Sequence, residues 1–195
     1  MKRSAEVERK TTETSVQVTL NLDGSGTASL DTGIAFLDHM LELMAVHGFM
    51  DLTVRAKGDI EVDFHHTVED LGICLGQAIN QALGDKKAIK RYGQASVPMD
   101  EALAMVVLDI SNRPYLSYDV PLKTRVTGQF DVGLLNEFFR ALVNNAGLTM
   151  HIQLEAGDDP HHSAEAIFKA FARAFDQASQ KEERLTEVPS SKGIL

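Results

Sequence analysis

Five of the seven histidines in this 195-residue chain fall in or beside two short motifs, His65-His66-Thr67-Val68-Glu69 and His161-His162-Ser163-Ala164-Glu165, with His39 the fifth. Neutral imidazole and carboxylate are the natural donors for Mn, Fe or Zn. If each motif opens a helix, its first histidine and its glutamate are four residues apart on one face, while the second histidine points roughly 100° away. One motif therefore cannot easily bring all three donors to one ion. Spacing instead pairs His65 with Glu69 in one site and His161 with Glu165 in another, with His66 and His162 each reaching across to the other site. A single His-His pair is usually a solvated accident, whereas two copies at matching places in a repeat point to metal. His39 reads either as a further ligand or as a hydrogen-bonded core histidine. His47 and His151 are balanced between a structural and a site role.

The elements that must position these groups alternate in hydrophobic period. Val16, Val18, Leu20 and Leu22 alternate with polar residues as a strand does, and Gly24-Ser25-Gly26 supplies a turn. Leu37, Met40, Leu41 and Met44 recur at helical spacing up to Gly48, strand alternation returns at Leu52 to Ala56, and a second helix runs from Val68 to Gly84. The second half repeats this order: strands over Ala102–Ile110 and Tyr115–Val120, a helix carrying Leu135, Phe138, Phe139 and Leu142, a strand near Leu148–Leu154, and a helix with Ile167, Phe168, Phe171 and Phe175. Gly48 to Asp59 and Gly147 to Asp158 have equal length and equal ends, and each leads into a His-His-x-x-Glu motif. Such self-similarity predicts a single compact α+β domain over 1–195, built from half-domains of about 1–92 and 93–180 related by pseudo-twofold symmetry, with 181–195 as a tail.

Composition sets outer limits. A formal net charge of −9 disfavours a polyanionic partner, so nucleic acid is not expected. The longest apolar run, Ala102 to Leu108, is too short for a spanning helix, and the polar opening does not read as a secretion signal, so a soluble cytoplasmic protein is expected. Cys74, the sole cysteine, lies among Leu71, Leu75 and Ala78 and reads as a core residue in a reducing compartment.

Five stretches resemble the imidazoleglycerol-phosphate dehydratase family: Thr32 to Leu41, Asp63-Phe-His-His-Thr-Val-Glu-Asp70, Pro98-Met-Asp-Glu-Ala-Leu103, His161 to Glu165 with Phe168-Lys-Ala170, and Pro189-Ser-Ser-Lys-Gly193. The resemblance runs from Arg3 to Leu195. It implies helices packed between two mixed β-sheets, a shell of about 24 subunits with sites between neighbours, and two Mn(II) ions per site. By that resemblance His39, His66, His161 and Glu165 hold one ion, and His65, Glu69, His162 and Glu137 the other. The chain departs from the familiar family pattern at Glu137, where a histidine is more usual, and at Asn112, where glycine is. The resemblance also implies substrate contacts from Glu13, His39, His47, His65, Glu69, Arg91, Arg113, His161, Lys169, Ser191 and Lys192. The cations among these would take a phosphate.

The implied reaction is dehydration of imidazole glycerol phosphate to imidazole acetol phosphate in histidine synthesis, through a metal-bound imidazolate. Glu13 is the first choice for general acid/base work and Asp100 the second. A dinuclear metal phosphatase or a non-catalytic metal-binding shell would share the ligands. The phosphatase would release inorganic phosphate, and the shell would have no use for Arg91, Arg113 and Lys192. The tail from Pro189 is expected to be mobile until an anion orders Lys192.

Overall fold

The computed structural model describes residues 3–123 and 125–195, and its elements fall into two similar runs. The first comprises β1 (Ser4–Lys10), β2 (Thr14–Asn21), β3 (Ala28–Asp31), α1 (Ala35–Gly48), β4 (Asp51–Gly58) and α2 (His65–Leu83). The second comprises β5 (Tyr92–Met99), β6 (Ala102–Asp109), β7 (Tyr115–Asp119), a small hairpin β8 (Val126–Thr127) and β9 (Phe130–Asp131), α3 (Leu134–Ala146), β10 (Thr149–Ala156) and α4 (Pro160–Ser179). The two sheets have the same order, β1-β2-β4-β3 and β5-β6-β10-β7. In each, the last-named strand is parallel to its neighbour and the other pairings are antiparallel, so both sheets are mixed. This is the expected α+β class with duplicated half-domains.

Strand alternation decides which face each sheet buries. Val16, Val18 and Leu20 are fully buried while Gln17 and Thr19 between them are exposed, and Ala104, Val106 and Leu108 repeat the pattern on β6. The buried faces meet helices: α2 lies on β1 and β2, α4 on β5 and β6, and the layers close by packing α2 against α3 and α1 against α4. Within the second half, Phe138 and Phe139 on α3 interlock with Phe168 and Phe171 on α4, with ring centroids 5.1–5.6 Å apart. Each contributes roughly 1.5–3 kcal/mol by burial, which ties α3 to α4, while the α2–α3 and α1–α4 packings join the halves. Cys74 sits in the core with its thiol pushed up to about 11 by burial, which leaves it inert.

The register of the repeat differs from the one read off the sequence. Both α1 and α3 end on a left-handed residue, Phe49 in the first half and Gly147 in the second. The cap therefore matches Gly147 with Phe49, not Gly48. Pairing against β2 and β6 then matches Asp51 with Thr149, until a bulge between Leu154 and Ala156 inserts one residue. Beyond it Gly58 matches Gly157, and the geometry agrees. A Cβ on Gly58 would lie 2.1 Å from Thr67 Oγ1, and one on Gly157 2.6 Å from Ser163 Oγ. These glycines let the strand end touch the helix that carries each histidine pair.

Candidate metal and anion site

The two motif helices start alike. Asp63 accepts the His65 backbone N–H at 2.7 Å, and Asp159 accepts those of His161 and His162 at 2.7 and 3.2 Å. A carboxylate at the helix start both satisfies the first amides and fixes the direction in which the histidines leave the helix. With the starts fixed, first histidine and glutamate share a face as spacing requires. His161 Nε2 lies 3.1 Å from Glu165 Oε1, and His65 Nε2 lies 3.8 Å from Glu69 Oε2.

The tightest cluster joins α1 to α4. His39 Nε2 reaches the same Glu165 Oε1 at 3.2 Å, and one donor atom from each of His39, His161 and Glu165 falls within 4.8 Å of the others. Lys169, one turn on, holds the other oxygen, Oε2, at 2.6 Å. Burial raises the Glu165 pKa, but the Lys169 and His39 hydrogen bonds outweigh it and bring the carboxyl to about 2, an anion at any working pH. Two imidazoles and one carboxylate oxygen converging in this way suit a hard-to-borderline divalent ion, Mn(II) included, with positions left for further donors.

His66 and His162 are not in that cluster. His66 Nδ1 faces Asp59 Oδ2 at 3.0 Å, with Glu13 Oε2 further off at 3.8 Å. His162 Nδ1 faces Glu101 Oε2 at 2.8 Å, and its Nε2 lies 3.9 Å from Asp100 Oδ2. In each case the carboxylate hydrogen bond raises the histidine pKa. Asp59 and Glu101 were both missed by motif reading. The signal for Glu101 was the hairpin register, because Thr14 matches Ala102 and so Glu101, not Asp100, stands in the place of Glu13. Glu137 lies on α3 half-buried, 3.9 Å from Arg140. The cap register puts it in the position of His39, 98 residues earlier.

A wedge of aromatic rings separates the two histidine groups along one edge of the molecule. The β8–β9 hairpin, which the first half lacks, buries Phe130 between Phe36 on α1, at 4.8 Å, and Phe64 ahead of α2, at 6.0 Å. Phe36 in turn meets the His161 ring edge-on at 5.3 Å. His47, in the last turn of α1, has its pKa lowered by burial and then by Lys169 and Arg173, so it tends to be neutral. His151 is exposed on β10 beside Tyr115, away from these clusters in the fold.

Apart from Lys169, which is paired with Glu165, the cations expected to contact substrate lie elsewhere. Arg91 donates its backbone N–H to Ala178 O at the far end of α4, and its buried guanidinium binds Asp109 through Nε (2.6 Å) and Nη2 (3.0 Å). Arg113 Nη2 approaches the same Asp109 at 3.5 Å and is otherwise largely exposed. Arg91 Nη1 also donates to the carbonyl of Pro189 at 2.7 Å, while Ala88 and Glu187 pair through backbone and Lys87 meets Glu187 at 3.1 Å. The tail expected to be mobile from Pro189 is thus held at Glu187 and Pro189. Ser191 and Lys192 project beyond the clamp, exposed. From His161 to Ala178 along α4 is about 25 Å at the helical rise per residue. Arg91, Arg113 and Lys192 cannot serve the Glu165 cluster of their own chain.

Comparison with known proteins shows similarity over most of the chain. The family model described as imidazoleglycerol-phosphate dehydratase matches residues 32–175. Relatives bearing that name include those of Geobacter metallireducens, 57% identical, and Acetivibrio thermocellus, 55% identical, each over 195 residues with both chains fully covered. The crystal structure of the Staphylococcus aureus enzyme of that name superposes with a TM-score of 0.83 at 43% identity, covering 91% of this chain and 99% of that one. A Pyrococcus furiosus structure in complex with (S)-C348 gives 0.84 at 36% identity, covering 97% and 100%.

Proposed function

Because the chain belongs to the imidazoleglycerol-phosphate dehydratase family, a hydro-lyase family, we propose that it dehydrates imidazole glycerol phosphate at sites assembled from several copies of itself. The observation that carries this reading is the separation of half-sites. The Glu165 cluster lies at one end of α4 and the phosphate-seeking cations at the other. A substrate with a three-carbon chain cannot span that distance, so one copy supplies ligands while another supplies Arg91, Arg113, Ser191 and Lys192. His66 and His162, turned away from their own chain's clusters, complete the ligand sets of neighbours. A closed shell of about 24 subunits satisfies every such half-site at once.

Two Mn(II) ions per site, held by His39, His66, His161 and Glu165 and by His65, Glu69, His162 and Glu137, would bind the substrate ring as an imidazolate and so make it electron-rich enough to expel hydroxide. The rest falls to side chains of the chain itself. Arg91 and Arg113 share Asp109, which holds two guanidinium groups side by side as a fork for phosphate oxygens. Arg91 also anchors Pro189, so the phosphate, the fork and the Ser191-Lys192 segment form one unit, and Lys192 closes on the anion to exclude water.

Glu13, half-exposed at the turn between β1 and β2, takes the carbon-bound proton and returns one as the enol becomes a ketone. Its loop is fixed: Thr11 Oγ1 accepts the Glu13 and Thr14 amides at 3.1 and 2.9 Å, and Thr14 donates to Asp70 on the ligand-bearing helix α2. The setting is cytoplasmic histidine synthesis. No helix among the described residues is long and apolar enough to cross a membrane. Incubating the Mn-loaded protein with imidazole glycerol phosphate tests the proposal: enol-derived ketone without inorganic phosphate is expected. Free phosphate instead would make it a phosphatase, and neither product would leave a metal-binding shell.

A further inference from the structure

Five of the six histidines on the two motif helices and α1, all but His47, divide into two chemical kinds, and the division is made by carboxylates outside the motifs. His39, His161 and His65 turn Nε2 toward a glutamate that is itself a ligand candidate. His66 and His162 do the reverse: Nδ1 is tied, to Asp59 and to Glu101, and Nε2 is left facing away from that contact. An ionised carboxylate only accepts, so the Nδ1 it holds must carry the proton and the lone pair must sit on Nε2. We propose that Asp59 and Glu101 are positioning residues that preset His66 and His162 as Nε2 donors to ions seated largely on another copy of the chain. The inference rests on the metal reading above.

The two carboxylates do one job from places that do not match in the repeat. Asp59 follows Gly58, and its repeat mate after Gly157 is Asp158, which is almost fully exposed and, among the described residues, pairs with Lys123 alone, at 3.8 Å. Glu101 matches Glu13, which stays 3.8 Å from His66 and makes no hydrogen bond through its carboxylate among the described residues. Loop length explains the exchange. Six residues, 59–64, lead from β4 to α2, and a turn from Asp59 O to Val62 N at 2.8 Å folds Asp59 back against His66. Only three residues, 157–159, lead from β10 to α4, too few for such a turn. In that half Glu101 comes across instead, using Oε1 for the Asp159 amide (3.1 Å) and Oε2 for His162. The consequence is functional: because Asp59 holds His66, Glu13 is spared that duty and keeps its carboxylate for proton transfer.

Two measurements test this without turnover. In the metal-free protein, 15N spectra with selectively labelled histidine should show neutral His66 and His162 as Nδ1–H tautomers. Finding them as Nε2–H would overturn the proposal. Mn(II) affinity measured by competition with a chelating dye should fall about 10–100-fold for Asp59→Ala and for Glu101→Ala. Asp59→Asn, whose amide oxygen still accepts from Nδ1–H, should recover much of the loss. On a His66→Ala background Asp59→Ala should change affinity no further, and likewise Glu101→Ala on His162→Ala. Unchanged affinity in the single variants, or an equal loss on the histidine-free backgrounds, overturns the positioning role. Absence of Mn(II) binding by the unaltered protein would overturn the metal reading itself, and this inference with it.

Discussion

The two halves share a strand order and a helix layout but not a chemistry. The first presents His39 on α1 where the second presents Glu137 on α3. Among the described residues it has a Glu13 without a carboxylate hydrogen bond where the second has Glu101 bonded to His162, and a three-residue link, 32–34, where the second inserts the β8–β9 hairpin and its buried Phe130. Duplicated scaffold and divergent loops are what a site needs when it must treat two ends of one small molecule differently. On the function proposed above, the shared elements set where ligands would stand, and the unshared ones decide which carboxylate is left to move a proton.

The largest expected effect removes what the halves have in common. Stripping divalent metal should abolish turnover and dissociate the proposed shell, because ligands donated between copies would make the ions part of the interface. Sedimentation of chelated protein still at full size would separate assembly from the sites. Next comes the contrast between Glu13 and Glu101. Glu13→Gln, nearly isosteric but unable to relay a proton, should lower kcat by about 10²- to 10⁴-fold with metal content unchanged. Glu101→Ala, which removes the acceptor for His162 Nδ1–H, should act through metal loading and be relieved by excess Mn(II). Equal kinetic loss in both at saturating metal would erase the distinction. Smaller again is Lys192→Ala: loss of one charged hydrogen bond, about 1.5–3 kcal/mol, should lower kcat/KM roughly 10- to 100-fold. Wild-type kinetics would end the tail's role in phosphate capture.

A stability change sharpens the comparison further. Gly93 on β5 and Ala5 on β1 match in register, opposite Leu108 and Leu20. A Cβ on Gly93 would sit 1.9 Å from the carbonyl of Ala174, so α4 lies closer to its sheet than α2 does. Gly93→Ala should cost about 1–3 kcal/mol or more, and Ala5→Gly only about 0.5–1 kcal/mol. Denaturant titrations of the two variants measure this directly, and similar losses would refute the tighter seat of α4.

Much of this was legible in the sequence because period, caps and motif spacing are local. The alternation at Val16–Leu22, the heptad-like Leu37–Met44 and the His-x-x-x-Glu face all depend on near neighbours. What was hidden depends on register and through-space partners. The bulge between Leu154 and Ala156 is a single unpaired residue that leaves no mark on hydrophobic pattern, and it displaced the repeat alignment by one over the helix end. Asp59 and Glu101 read as surface carboxylates until loops of six and three residues bring them to imidazoles. Arg91 read as a free cation, whereas the fold buries it against Asp109 and makes it the anchor of the tail.

The smallest effect concerns the loop after the second strand of each half. Asp51 and Thr149 match in register, yet they hold that loop by opposite means. Asp51 Oδ1 accepts the amides of Ser25 at 2.8 Å and Thr27 at 3.2 Å, while Thr149 Oγ1 donates to Arg113 O at 2.8 Å and meets Ser111 Oγ at 3.0 Å. The Ser25 and then Thr27 amides bring the Asp51 pKa from 3.8 to about 2. A carboxyl depressed by folding stabilises fully above its unfolded pKa, and that contribution fades as pH falls from 3.8 toward 2. Thr149 has no such window. The stability difference between the unaltered protein and Asp51→Asn should therefore be constant at neutral pH and shrink through that acid range, whereas the difference for Thr149→Val should stay flat. Other acid-labile groups, Glu165 among them, are common to each pair and cancel in the subtraction. Denaturant midpoints taken at several pH values decide it. An Asp51→Asn difference that does not shrink between pH 3.8 and 2 would mean that the charge on Asp51 does not hold the first-half loop.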